Sequence, residues 1–204
     1  MASEDAEPFK CVLAGDGYIG KTTFIRKLTK WPKTEEPKVI PKKYVYPLVF
    51  NTNAGNIHFD VYDTAGQEIF GGLRDCFFKD AACAIIMFDI TSPSSYNNVL
   101  YWHRKLLSLC GKIPIVLCGN KSDIKFRKIK KERIYADWGN ILNYFELSGK
   151  TRTKVYEPFL FLSQHLLGNG EIVDFTRVGS EVSMDLTHLS KLNDEASENN
   201  SKQQ

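Results

Sequence analysis

Short apolar runs alternate with amphipathic stretches from residue 9 to residue 147, without internal repeats. Residues 83–90 and 113–120 are almost continuously apolar, as expected of parallel strands that are covered on both faces. Residues 9–15 have the pattern of a first strand, and residues 20–30 have that of the helix that follows it. The pattern predicts a three-layer α/β domain.

An antiparallel hairpin is predicted around residues 53–55, Asn-Ala-Gly, a turn signal between residues 44–52 and 56–64. Apolar and polar residues alternate in the second segment, as in a strand with one covered face. Pro47 in the first segment is typical of an edge strand, where a missing N–H is tolerated. We expect this hairpin to form one edge of the sheet.

Ser92 and Pro93 indicate a helix start, followed by residues at helical spacing. These residues are Val99, His103, Leu106 and Cys110. Residues 142–148 predict a last strand, and residues 154–168 predict a final helix ended by Gly168. The expected fold is a mostly parallel six-stranded sheet with one antiparallel edge hairpin and about five helices.

The ends of the chain differ in character from its middle. We expect residues 1–8 to be a disordered N-terminus, 9–168 one domain, 169–196 a C-terminal extension with room for a short docked helix, and 197–204 a disordered tail. The N-terminus is too acidic for a targeting segment, no apolar run could span a bilayer, and the last residues include no cysteine for a prenyl group. We therefore expect no membrane anchor.

Composition limits the function classes. The chain is 43% hydrophobic and 25% charged, and a net charge of +3 is too small to indicate direct nucleic-acid binding. The five cysteines form no C-x-x-C pair, which favours buried free thiols in a reducing compartment. The four histidines lack metal-ligand spacing, so a zinc site is not expected.

Residues 15–22, GDGYIGKT, match the phosphate-loop pattern G-x-x-x-x-G-K-[ST] between a predicted strand and a predicted helix. The glycines let backbone N–H groups surround phosphates, Lys21 brings a cation to the β and γ oxygens, and the Thr22 hydroxyl reaches Mg²⁺. The residues expected to surround the phosphates are Gly15, Asp16, Gly17, Tyr18, Ile19, Gly20, Lys21, Thr22 and Thr23.

Residues 63–68, DTAGQE, follow the second strand of the hairpin and supply the other half of a phosphate site. There Asp63 can hold a Mg²⁺ water, the N–H of Gly66 can reach the γ-phosphate, and Gln67 can orient an attacking water. Gln67 and Lys21 are thus the candidate catalytic residues, and Thr22 and Asp63 are the candidate metal ligands.

Residues 120–123, NKSD, select the base. The Asp123 carboxylate can accept hydrogen bonds from guanine N1–H and the 2-amino group, whereas adenine offers neither donor. Asn120 can brace the phosphate loop, and Lys121 can lie along the base plane. A backbone N–H of Ser148, Gly149 or Lys150, which follow the last predicted strand, can meet guanine O6.

Together these segments resemble the small GTPases, and residues 46–75, 83–92, 101–106, 113–128 and 157–162 resemble the Ran family of nuclear transport GTPases. The resemblance implies a P-loop small-GTPase fold over about residues 9–167, with GTP or GDP and Mg²⁺ bound. It also implies a monomer that acts in nucleus and cytoplasm. The implied partners are importin-type and exportin-type transport receptors, a guanine-nucleotide exchange factor and a GTPase-activating protein.

The chain departs from this family at several positions. Ile40 stands where family members carry the first-switch threonine that reaches Mg²⁺ and the γ-phosphate, and Tyr18 replaces a small phosphate-loop residue. The family's basic segment near residues 136–139 and its acidic C-terminal end are both missing, which removes one electrostatic contact of the tail.

Two interpretations of the function remain from the residues. The first is a GTPase switch, and the second is a guanine-nucleotide-binding interaction module with impaired switching because of Ile40. A P-loop kinase is disfavoured by NKSD and by residues 148–150. The six basic residues in 125–133 form either a solvated helix start or a docking surface for an acidic transport receptor.

Overall fold

The computed structural model describes residues 7–29, 38–40, 43–53, 55–64, 75–139, 141–168 and 175–177. In these ranges the chain forms eight strands and six helices. In chain order they are β1 Phe9–Ala14, α1 Lys21–Thr29, β2 Lys38–Ile40, β3 Lys43–Thr52, β4 Gly55–Asp63, α2 Asp75–Phe78, β5 Cys83–Asp89, α3 Pro93–Asn97, α4 Val99–Cys110, β6 Ile115–Asn120, α5 Lys131–Trp138, β7 Asn143–Glu146, α6 Glu157–Leu166 and β8 Phe175–Arg177.

One sheet runs through the molecule in the order β2-β3-β4-β1-β5-β6-β7, with β8 also paired to β3. The strands β4, β1, β5, β6 and β7 are parallel to one another, and β3 is antiparallel to β4. Every residue of β5 and β6 is buried, because helices cover both faces of the sheet there. The predicted mostly parallel α/β fold is confirmed.

The sheet has two more strands than the six expected. Both β2 and β8 are three residues long, too short to produce an apolar alternation that sequence patterns can detect. They pair with opposite ends of β3: Ile40 pairs with Lys43, and Phe175 pairs with Thr52. Residues 46–49 of β3 therefore lie between the two added strands, and Pro47 falls within this gap.

The helices predicted at residues 20–30, from Pro93 onward and at 154–168 are present, the second of them with one break, whereas no position was predicted for α2. The side chain of Ser92 accepts a hydrogen bond from the N–H of Ser95 and starts α3 beside Pro93, as the sequence predicted. The helical run then breaks at Asn98 before α4 begins. At the other end of the domain α6 stops at Leu166, and Gly168 has a φ of +85°, which glycine adopts without strain.

Two apolar layers enclose the sheet. On one face α1 and α6 pack through Phe24 and Phe159, whose rings stack with centroids 6.2 Å apart. On the other face α4 and α5 contribute Leu106 and Ile134. The structure thus has the predicted three layers.

The described part of the C-terminal extension, Phe175–Arg177, forms strand β8. The Phe175 ring stacks on Phe50 of β3 with centroids 4.5 Å apart, so the extension contributes to the domain core. The remaining residues of the predicted extension and tail, and residues 1–6 of the predicted N-terminus, lie outside the described residues.

Three of the expected buried free thiols are observed: Cys11, Cys83 and Cys118 lie in the sheet. Burial raises the thiol pKa of Cys83 and Cys118, which keeps both groups protonated and unreactive. Among the described residues, no helix combines the length and the apolar character needed to cross a membrane.

Candidate functional site

The predicted site segments meet at the edge where the parallel strands end. The phosphate-loop residues follow β1, Asp63 ends β4, and Asn120 ends β6. Residues 148–150 follow β7. This is the edge at which open α/β sheets bind ligands, because the loops after parallel strands converge there.

Positive φ angles shape the phosphate loop. Gly15, Tyr18 and Gly20 have φ values of +136°, +61° and +99°. Turns of this kind point successive N–H groups inward, which produces an anion-binding concavity. Lys21 is buried, and its ammonium donates hydrogen bonds to the carbonyl oxygens of Gly15 at 2.6 Å and Asp16 at 2.7 Å. The cation therefore lies over the loop, as a phosphate site requires.

Tyr18 departs from ordinary backbone preferences within this loop. It is the loop's one non-glycine residue with positive φ, a conformation that costs an L-residue about 1–2 kcal/mol. Its side chain is 93% exposed, so the ring points out of the loop. Gly17 is half-buried beside it, and Thr23 is exposed in the first turn of α1.

The two predicted metal ligands are in direct contact. The Thr22 hydroxyl donates to one carboxylate oxygen of Asp63 at 2.5 Å. The other oxygen, Oδ1, is buried and has no hydrogen-bond partner within the described part of the chain. A hydroxyl beside a carboxylate with an unsatisfied buried oxygen is a hard-oxygen donor set, which fits Mg²⁺. When bound there, the ion would neutralise phosphate charge.

Asn120 connects the phosphate loop with the last loop of the site. Its amide nitrogen donates to the carbonyl of Ile19 at 2.8 Å, and its amide oxygen accepts from the N–H of Gly149 at 3.0 Å. The side chain is buried. One amide thus sets the spacing between two segments that are far apart in sequence. A Cβ added to Gly20 would lie 2.6 Å from this amide nitrogen, so the close contact requires glycine there.

Asp123 is oriented by two groups from residues 148–150. The buried Ser148 hydroxyl donates to Asp123 Oδ1 at 2.6 Å, and the Lys150 ammonium lies 4.0 Å from Oδ2. The Ser148 oxygen in turn accepts from the N–H of Thr151 at 3.1 Å. The carboxylate is therefore fixed in direction, which a base-reading carboxylate needs.

Lys121 is held by Asp89, a residue that the sequence analysis did not single out. The Lys121 ammonium lies 2.5 Å from Asp89 Oδ2 and 3.4 Å from the carbonyl oxygen of Tyr18. Asp89 Oδ1 accepts from both the N–H and the hydroxyl of Thr91 at 2.8 and 2.7 Å. Burial disfavours the charged carboxylate, but the hydrogen bonds from Lys121 and Thr91 outweigh it and lower the pKa of Asp89.

A second unpredicted contact joins the phosphate loop to α4. The Asp16 carboxylate accepts from the Trp102 indole N–H at 2.8 Å and from the Asn98 amide at 2.7 Å. One donor, Asn98, lies at the helix break and the other, Trp102, lies in the first turn of α4, at positions with no signal in the sequence. Of the remaining predicted site residues, Gly66 and Gln67 lie outside the described residues. The backbone of Ile40 is described at the end of β2.

These contacts define a class of protein. The loop after β1 has the shape and charge of a phosphate site, and an oriented carboxylate stands at the base side of the same sheet edge, so the molecule is a P-loop nucleotide-binding protein. Over residues 10–167 the chain matches the family model described as the Ras family. The chain therefore belongs to the Ras family of small GTPases, and residues 10–167 are a GTP-binding domain of that family.

Proposed function

We propose that the protein is a Ran-type GTP/GDP switch that binds and hydrolyses GTP and directs nucleocytoplasmic transport of proteins and RNA through importin-type and exportin-type receptors. The orientation of Asp123 by Ser148 supports guanine as the base. The resemblance of residues 46–75 and 113–128 to the Ran family supports the transport role. The proposed sites of action are nucleus and cytoplasm, and the proposed state is a monomer.

In this proposal each of the site residues at the sheet edge has its own role in GTP hydrolysis. Lys21 stabilises charge that develops on the transferred phosphoryl group, and Gln67 positions the attacking water. Thr22 and Asp63 hold Mg²⁺. Hydrolysis is slow without a GTPase-activating protein, and an exchange factor replaces GDP by GTP.

Single-turnover hydrolysis of GTP by the full chain tests the enzymatic part. We expect slow turnover alone, faster turnover with a Ran-type GTPase-activating protein, and a large loss in Gln67→Leu with GTP affinity kept. A wild-type chain that binds GTP tightly but hydrolyses none with the activating protein would contradict this part.

Receptor binding tests the transport part. Of the basic residues in 125–133, Arg127 pairs with Glu146 at 2.9 Å and Arg133 lies 3.6 Å from Asp137, whereas Lys125, Lys128 and Lys130 are exposed. Charge complementarity favours an acidic receptor surface for these exposed lysines.

We expect Lys125→Glu/Lys128→Glu to weaken binding of an importin-type receptor to the GTP-bound chain by about tenfold, because two charge pairs become repulsive. Lys112→Glu, an exposed lysine before β6, is the matched control and should have little effect. Equal receptor binding by the GTP-bound and GDP-bound wild-type chain would rule out the transport role.

The second candidate function, an interaction module with impaired switching, is favoured by the position of Ile40. The backbone of Ile40 pairs with Lys43 in the β2–β3 ladder, and residues 38–43 contain no hydroxyl side chain. If the missing hydroxyl impairs the switch, Ile40→Thr should tighten GTP relative to GDP in the presence of Mg²⁺ and strengthen receptor binding. Val39→Thr, the same kind of change one residue earlier, is the control. If Ile40→Thr changes neither the relative affinity for GTP and GDP nor receptor binding, the first candidate function, a working switch, is favoured.

A further inference from the structure

The first turn of α4 holds the carboxylate of a phosphate-loop residue. Each Asp16 oxygen has its own donor: Oδ1 accepts from Trp102 Nε1 at 2.8 Å, and Oδ2 accepts from Asn98 Nδ2 at 2.7 Å. Asn98 and Trp102 are four positions apart, so they lie on the same side of the helix. The Trp102 side chain is only 3% exposed, which leaves its indole little freedom to move away.

The direction of this carboxylate matters because of its neighbours. Lys21 donates to the backbone carbonyl of Asp16 at 2.7 Å, so the negative side chain of the same residue is attached next to the cation that serves the phosphates. Carboxylates accept hydrogen bonds from ammonium groups more strongly than carbonyls do. A carboxylate turned toward Lys21 would compete with phosphate for that cation and would repel the phosphate charge.

The side chains on α4 prevent this outcome. Asn98 does not cap α4 with its side chain, and its amide donates to Asp16 instead. Trp102 is buried in the apolar layer of α4 and α5, yet its indole N–H is directed at the phosphate loop. Two donors that satisfy both oxygens leave the carboxylate no gain from turning toward Lys21.

We propose that Asn98 and Trp102 are positioning residues for the phosphate loop, which hold the Asp16 carboxylate against α4 and away from the Lys21 ammonium and the bound phosphates. This inference rests on guanine-nucleotide binding by the same site. It makes α4 part of the nucleotide site through its contacts with Asp16.

The test is a double-mutant cycle on the full chain, with GDP and Mg²⁺ as the probe and calorimetric titration as the measurement. Trp102→Phe keeps an aromatic ring but removes the N–H donor, and we expect it to weaken GDP binding about tenfold. In an Asp16→Asn background, where no carboxylate remains to be restrained, the same change should weaken GDP binding less than about twofold. Packing damage alone would lower affinity equally in both backgrounds.

Further variants exclude a folding defect as the explanation. Asn98 is exposed, so Asn98→Ala should leave the core intact and still weaken GDP binding by about three- to tenfold, again only when Asp16 is present. Trp138→Phe, the same substitution at a tryptophan of α5, is the control and should leave GDP affinity unchanged. The losses should shrink in higher salt, because they arise from charge.

The outcomes separate this inference from the proposed function. The positioning role is wrong, and nucleotide binding stands, if the folded wild-type chain binds GDP and Trp102→Phe and Asn98→Ala bind it as tightly as wild type. The same holds if each change lowers GDP affinity as much in the Asp16→Asn background as in the wild-type background. If the folded wild-type chain binds no GDP, both fail.

Discussion

Replacement of Asp89 by asparagine tests how much the Lys121–Asp89 ion pair contributes to the base side of the site. The pair is short, at 2.5 Å, and asymmetric in burial: the side chain of Lys121 is 33% exposed and that of Asp89 is 8% exposed. Asp89→Asn keeps the shape and an acceptor for Thr91, but it removes the charge that holds Lys121.

The magnitude follows from the hydrogen bonds. A bond between charged groups contributes about 1.5–3 kcal/mol, and partial exposure of Lys121 places this pair near the lower value. We expect Asp89→Asn to lower the free energy of unfolding at pH 7 by about 1.5–2 kcal/mol, or the Tm by about 3–8 °C for a chain of this size. Urea denaturation followed by circular dichroism measures the free energy.

The control is Asp75→Asn, which breaks the more exposed pair between Lys105 and Asp75, 3.0 Å apart. Because Asp75 is 42% exposed, solvent screens that pair, and we expect a loss below about 1 kcal/mol. A loss in Asp75→Asn as large as that in Asp89→Asn would refute the argument from burial.

The pH dependence has a defined sign. Because the folded state lowers the pKa of Asp89, the pair contributes stability that is fully present above the unfolded-state value of about 3.9 and is lost as the pH falls through the folded-state pKa. The stability difference between wild type and Asp89→Asn should therefore be constant from about pH 5 upward and shrink below about pH 4. A difference that stays constant down to pH 3, or no difference at pH 7, would refute the reasoning.

Three further changes test the site. Asp123→Asn places an amide N–H₂ opposite the donors of guanine, and competition binding should show that GDP binds about 10- to 100-fold more weakly. Xanthosine diphosphate has an oxygen in place of the guanine 2-amino group and should bind to this variant better than to wild type. A preserved preference for GDP would mean that Asp123 does not read the base. Gly149→Ala brings a Cβ to 2.9 Å from the Phe24 Cα, so the last loop must separate from α1; thermal unfolding and GDP titration should show a cost of about 1–3 kcal/mol and weaker binding. An unchanged Tm would show that the loop yields freely. Thr22→Ala removes the hydroxyl beside Asp63 and should speed GDP release in Mg²⁺ by about tenfold or more but not in excess EDTA. Equal acceleration in EDTA would assign Thr22 a structural role instead.

The phosphate loop and the base-side segments could be predicted because their chemistry is local. Eight consecutive residues, 15–22, carry the loop pattern, and their helix and strand follow from apolar periodicity. The proximity of residues 120–123 to 148–150 was predictable in outline, since both follow strands that are neighbours in a parallel sheet, but the contact of the Ser148 hydroxyl with Asp123 was not.

Other contacts of the site could not be predicted, because they depend on tertiary packing. Asp89 ends an apolar strand, where a carboxylate is also common as a solvated turn residue, and only the fold brings it to Lys121. Asp16 and Trp102 are 86 positions apart, and nothing in the indole's apolar surroundings indicates a polar partner. The break at Asn98 was missed because the apolar spacing continues across it.

The arrangement of β2, β8 and Pro47 along β3 has a consequence for association between copies of the chain. A bare strand edge offers a row of N–H and C=O groups to any other strand, and this leads to aggregation. Here β2 covers one end of β3, β8 covers the other, and the uncovered stretch between them contains a proline that has no N–H to offer. Beside β3, within the described residues, an incoming strand would find only a four-residue interval, residues 46–49, interrupted at Pro47, so β3 is a poor template for a further chain.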